Sequence, residues 1–139
     1  MATRTDFVQP QAGLLGEART MKTLGRRVTM TAADLVTGGV VEAFVVPAGF
    51  TVTGIIAVST DLDAGTNAMT LSVGDAASST RFLNASTIGQ AGTSTQTLAS
   101  TGLLFAYTAD TKILITVTLG PTVAAAGTID LYLSGFVAG

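Results

Sequence analysis

The stretch Val40–Val73 does most to constrain the fold of this chain. It holds three apolar, largely β-branched runs, Val40–Val46, Phe50–Ser59 and Ala68–Val73. Pro47-Ala48-Gly49 separates the first two, and Asp61–Asn67, rich in Asp, Gly and Asn, separates the last two. β-Branched and aromatic residues suit a pleated, half-buried surface, whereas Pro, Gly, Asn and Asp suit turns. Runs divided in this way read as consecutive antiparallel strands. Within Phe50–Thr53 and Met69–Val73, apolar residues alternate with hydroxyl residues, which turns one face to a core and the other to water.

The same pattern continues on both sides. Val28–Thr31 predicts a strand, and Ala32–Val36 a single helical turn stopped by Thr37-Gly38-Gly39. Leu103–Tyr107 predicts another strand. Lys112–Leu119 predicts one with Ile113, Ile115, Val117 and Leu119 on one face. Ile129–Val137 closes the chain, with Ile129, Leu131 and Leu133 facing one way. Between these, Gly74–Leu83 reads as a short helical turn, and Asn84–Gln96 as a long, flexible, polar loop. Thr20–Arg27 is a candidate eighth strand. Short strands divided by turn formers predict an all-β fold: an antiparallel β-sandwich of jelly-roll type over residues 28–139, preceded by an extended N-terminal arm over residues 1–27. A length of 139 residues suits one such domain with one core.

Composition excludes much chemistry. The chain has no Cys, His or Trp. Zinc sites built on Cys or His are therefore ruled out, as are Ser-His-Asp and Cys-His nucleophiles. Asp61–Asn67 resembles a calcium loop only superficially. The EF-hand spacing from Asp61 puts Thr66 and Ser72 where Gly and Glu are required. Glu42 and six Asp of the body could pair as glycosidase carboxylates, but no Trp and two Tyr offer little platform for a sugar. The glycines follow no phosphate-binding spacing. No enzyme, metal or cofactor is expected. Apolar runs end far short of the ~20 residues of a membrane-spanning helix. Arg4 and Asp6 precede no apolar block, so no secretory signal is expected and synthesis is assigned to a cell's cytoplasm.

Only 12% of residues are charged, against about 25% in an average soluble domain. A surface so poor in charge suits a protein covered by partners. The charge is also uneven. Residues 1–27 carry Arg4, Arg19, Lys22, Arg26 and Arg27 against Asp6 and Glu17, a net +3. Residues 28–139 carry Arg81 and Lys112 against seven acids, a net −5. The arm also has apolar anchors in Phe7, Leu14 and Leu15. The candidate docking residues are thus Arg4, Phe7, Leu14, Leu15, Arg19, Lys22, Arg26 and Arg27. Five basic residues with little aromatic interleaving do not make a nucleic-acid footprint.

Two groups of segments carry a family resemblance. One is Leu71–Asp75 with Arg81-Phe82-Leu83 and the Gly/Ser/Thr loop that follows. The other is Phe105–Asp110 with Ile113–Thr118 and Gly127–Leu133. Over about residues 28–139 the chain resembles capsid cement or decoration proteins of tailed phages, most nearly the jelly-roll kind on a Bordetella podophage head. The resemblance implies a virion protein on the outer capsid surface. It would be a homodimer that clamps neighbouring major capsid protein subunits and has no catalytic residue. A β-sandwich carbohydrate-binding or tail-fibre adhesion module is the competing class.

Overall fold

The computed structural model describes residues 21–137. Among them are eight strands: β1 (Met21–Met30), β2 (Val40–Val46), β3 (Phe50–Ser59), β4 (Thr70–Gly74), β5 (Leu83–Ser86), β6 (Ser94–Thr95), β7 (Thr111–Leu119) and β8 (Gly127–Val137). They form two four-stranded sheets, ordered β1-β8-β3-β6 and β2-β7-β4-β5. Every pairing is antiparallel. The chain crosses from one sheet to the other at every step except β4 to β5, which gives the jelly-roll arrangement. No helix among the described residues is long and apolar enough to cross a membrane.

The core lies between the sheets. Val28 and Met30 of β1, Ile129, Leu131 and Leu133 of β8, and Phe50, Val52, Ile55 and Ala57 of β3 face Leu71 and Val73 of β4 and Ile113, Ile115 and Val117 of β7. Two irregularities change the phase of the alternation. β3 slips against β8 between Val52 and Gly54, so its inward set runs 50, 52 and then 55, 57, 59. β2 slips against β7 between Glu42 and Phe44, which leaves Ala43 and Val46 buried and Val45 exposed. Such bulges re-aim side chains while the ladder continues.

The expected strands from Val28 onward appear with small shifts, except one. Leu103–Tyr107 is no strand: residues 101–104 form a turn, and only Ala106 bridges, to Thr51 of β3. Leu104 interrupts the segment at φ +58°, outside the extended region. The polar stretch 84–96 is not a free loop. It contributes β5 and β6 and buries Ile88, and the Leu62 amide donates to the Gly89 carbonyl at 2.8 Å. Neither expected helical turn becomes a helix. Residues 32–34 make one turn closed by the Asp34 amide on the Thr31 carbonyl, and 75–82 is irregular. Leu119 is 48% exposed, because β7 runs past the edge of the core there.

β1 begins at Met21 and pairs with β8 along its whole length, so the boundary expected at residue 27 falls inside a strand, and Thr20–Arg27 largely coincides with it. Gly25 holds a positive φ of 158° in this strand. A Cβ there would meet the Leu131 carbonyl and the Tyr132 ring. Glycine lets β1 lie close under Tyr132.

Leu131 sits at the centre of this arrangement, paired with Arg26 of β1 and Ala57 of β3 and fully buried. Leu131→Ala is expected to lower unfolding free energy by about 2–5 kcal/mol, the range for deleting a packed Leu side chain. Urea denaturation with an unchanged m value checks this.

Candidate functional site

One end of the sandwich gathers the start of β1, the end of β8, the β2–β3 turn and the connections β4–β5 and β6–β7. Met21 pairs with Phe136, and Phe50 with Val137. The Tyr107 amide donates to the Phe50 carbonyl at 2.9 Å. Met21, the first described residue of β1, therefore lies at this end.

A buried polar cluster organises the same end. Asp75 directly follows β4 and is 3% exposed. Its Oδ1 accepts from the Ala77 and Ser78 amides at 3.0 and 2.9 Å, the local turn that Asp forms readily. Arg81 grips both oxygens, Nε to Oδ2 at 2.7 Å and Nη2 to Oδ1 at 3.3 Å. Tyr107 Oη donates to Oδ2 at 2.7 Å. The Arg81 guanidinium lies 3.7 Å from the Phe105 ring centroid, a cation–π stack. Phe105 meets Tyr107 edge-on at 4.9 Å.

Burial pushes the Asp75 carboxyl up, but the hydrogen bonds from Arg81, Tyr107 and Ser78 outweigh it and hold the group below the ordinary carboxylate value. Burial, and then the bond to Asp75, push the Tyr107 phenol well above its ordinary value. A general acid or base needs a pKa near the working pH. Here the phenol stays a donor and the carboxylate an acceptor. The cluster cross-links three segments: Asp75 after β4, Arg81 before β5 and Tyr107 before β7.

Beside it opens a cleft of ≈ 290 Å³, lined by Ala76, Ala77, Phe105, Ala109 and Thr111 among others. Next to the cleft, the turn at Leu103 and Leu104 projects into solvent, 55% and 62% exposed.

The opposite end is built around Asp63, 1% exposed. Its carboxylate accepts from the amides of Gly65 (2.9 Å), Ala68 (2.9 Å), Met69 (3.3 Å) and Val123 (3.4 Å), and from Thr122 Oγ1 at 3.0 Å. Burial pushes the carboxyl up, yet the bonds from Ala68, Gly65, Thr122 and Val123 together hold it far below the usual range. Every partner is a donor, so the loop that resembles a calcium site is an internal anion clamp. Among the described residues no group of three carboxylates is placed to hold a metal.

Of the sequence-predicted docking residues, Arg4, Phe7, Leu14, Leu15 and Arg19 lie outside the described residues. Lys22, Arg26 and Arg27 stand exposed on β1, at the edge of its sheet. Arg27 is engaged within the sandwich, gripping Asp130 of β8 at 2.7 and 3.0 Å. Charge on an edge strand also keeps other strands from adding to it. With the strand starting at Met21, residues 1–20 hold Arg4 and Arg19 against Asp6 and Glu17 and carry no net charge. The basic character assigned to the arm thus sits on the sandwich edge. Sequence reasoning missed the Asp75–Arg81–Tyr107 cluster. Its members stand 6 and 32 positions apart, and no local motif joins them.

Over 99% of both chains the structure matches a chain of the Cyanophage Pam1 capsid asymmetric unit, with a TM-score of 0.80 and 32% identity. The chain belongs to this family of phage capsid proteins. A chain from the capsid of Ralstonia phage GP4 shares the fold, with a TM-score of 0.73 and 24% identity over 88% of this chain and 86% of that one. No protein-family model matches the chain, and no curated protein does. As a phage capsid protein it has a structural role in the virion, and stiff loop clusters at both ends of the sandwich suit that role.

Two outcomes follow for this capsid protein. Tyr107→Phe removes a bond to a buried carboxylate and is expected to cost about 1.5–3 kcal/mol, read by urea denaturation. Asp63 and Asp75 are both depressed in the native state. Their stabilisation is whole above the unfolded Asp pKa of about 3.9 and is lost as the pH falls from there through the native values. Thermal scans are expected to show Tm dropping with acidification below about pH 4, with a shallower drop in Asp63→Asn.

Proposed function

We propose that the chain is a cement protein: it binds the outside of a phage capsid and, as a homodimer, holds neighbouring major capsid protein subunits together. The observation that supports this most is the match, over nearly the whole of both chains, to a chain of a phage capsid asymmetric unit. Surface character agrees with it. With 12% charged residues and exposed Met21, Ile56 and Val58 on one outer sheet face, the sandwich is suited to lie covered by other chains.

The docking element is the N-terminal segment with Arg4, Phe7, Leu14, Leu15 and Arg19, aided by Lys22, Arg26 and Arg27 at its root. Because residues 1–20 carry no net charge, the apolar side chains supply most of the attraction, at roughly 25 cal/mol per Å² of apolar area removed from water. Linked subunits add avidity to each modest contact.

The test uses phage heads depleted of this protein and the full chain added back. The full chain is expected to bind and to raise the temperature at which the heads lose their contents. Deleting residues 1–18 spares β1, so the sandwich should fold while binding weakens by about tenfold or more. Binding that changes little between low and moderate salt is also expected, since screening acts on charge. Equal binding by the truncated and full chains would refute docking by this segment.

A further inference from the structure

We propose that the Leu103–Leu104 turn is a second anchor, contributed by the sandwich itself, which inserts into an uncharged apolar cleft on the outer face of a capsid subunit. This rests on the cement reading above. Three observations carry it.

The first is the backbone. Leu104 is held at φ +58°, a region that bulky side chains avoid and that Gly adopts freely. Among the described residues three non-glycine ones have positive φ; of the other two, Asn67 suits the conformation and Ala85 is small. Leu104 is a large apolar residue that is also 62% exposed. Strain of this kind gathers where a surface is shaped for use.

The second is stiffness. The Leu104 amide donates to the Val52 carbonyl at 2.7 Å, and the Val52 amide to the Phe105 carbonyl at 3.0 Å. Gly102 donates to Ala99 at 2.9 Å, and Thr101 Oγ1 to the Arg81 carbonyl at 2.8 Å. Phe105 is pinned under the Arg81 guanidinium. The turn therefore stands on the buried Asp75 cluster. An apolar anchor already fixed in place loses little freedom on binding.

The third is position and charge. The turn lies along β3 toward the end of the sandwich that holds Met21: Leu104 bonds to Val52, two residues into β3 from Phe50, and Val52 pairs with Gly135. An arm and an anchor on one end can engage one partner together. Arg81 is paired with Asp75, and Asp110 is held back against the Ala48 amide. The tip itself, Leu103 and Leu104, carries no charge, so an apolar cleft suits it. Val36 and Val123 are exposed at the far end, on ordinary backbone.

The test adds full-length chains to depleted phage heads: wild type, Leu104→Gly, Leu103→Ser/Leu104→Gly, and a Val36→Ser/Val123→Ser control. Glycine suits the φ of Leu104, so both tip variants should keep the wild-type circular dichroism and melting temperature. The double tip variant is expected to bind about tenfold or more weakly, the effect of removing a packed anchor, and the control to bind like wild type. Tip variants that bind as tightly as wild type would overturn the anchor and leave the cement reading standing. Wild type that does not bind heads would overturn the cement reading and the anchor with it. Amide exchange at residues 102–105 of the free protein gives a further check. If deleting residues 1–18 speeds it markedly, the chain's own arm covers the turn and the proposal is wrong.

Discussion

The rest of the structure depends on the ladder that β8 forms with β1 on one side and β3 on the other. It joins Met21 to Phe136 and Phe50 to Val137, so residues near the two ends of the chain are neighbours. Ile129, Leu131 and Leu133 of β8 are all fully buried. Close strand approach is secured by small residues: Gly25 lies against the Leu131 carbonyl, and Gly135 against the Thr51 carbonyl. A sheet whose central strand comes last cannot form early. The loop-closure entropy of the whole chain is spent before those contacts form, which makes folding of such a topology slow. The completed sheet is correspondingly hard to open locally, because no short segment leaves without breaking a long-range ladder.

The ends of the sandwich are fixed by two buried carboxylates. Asp63 ties the β3–β4 loop to Thr122 and Val123 before β8. Asp75 ties the β4–β5 connection to Tyr107 before β7. In both cases one anion gathers donors from segments far apart in sequence, and every polar partner is satisfied. Desolvation alone would favour the neutral acid. The donors reverse that and keep each group ionised well below neutral pH. The same bonds cross-link loops that lie far apart in sequence.

How much of this the sequence showed depends on what carried each element. Where a two-sided strand packs on the core, as in Ile113–Val117 and Ile129–Leu133, alternation marks the inward face correctly. β5 and β6 were invisible because they are short, polar edge strands held by backbone pairing, with Leu83 the one buried residue between them. Leu103–Tyr107 was apolar enough to read as a strand, but the turn formers Ser100-Thr101-Gly102 and the left-handed Leu104 govern it. β1 was read in two pieces, Thr20–Arg27 as a candidate strand counted with the arm and Val28–Thr31 as a strand of the sandwich. Its N-terminal half, Met21–Arg27, is charged and exposed because it is an edge, and an edge strand and a solvated tail share that composition. Moving the boundary to Met21 moved three basic residues onto the sandwich and changed the arm from charged to neutral.

That change bears on how a protein of this size can hold a partner. Specific interfaces commonly bury about 1,200–2,000 Å² in total. Two leucines at a turn supply a small part of such an area, so the proposed docking also needs the apolar side chains of residues 1–20, whose charges cancel. Neither is sufficient alone. On the proposed docking, the ordered turn and the segment that precedes Met21 would engage one partner together, each raising the local concentration of the other. The bonds among Asp75, Arg81 and Tyr107 hold the turn in place, which on that proposal reduces the freedom it loses on binding.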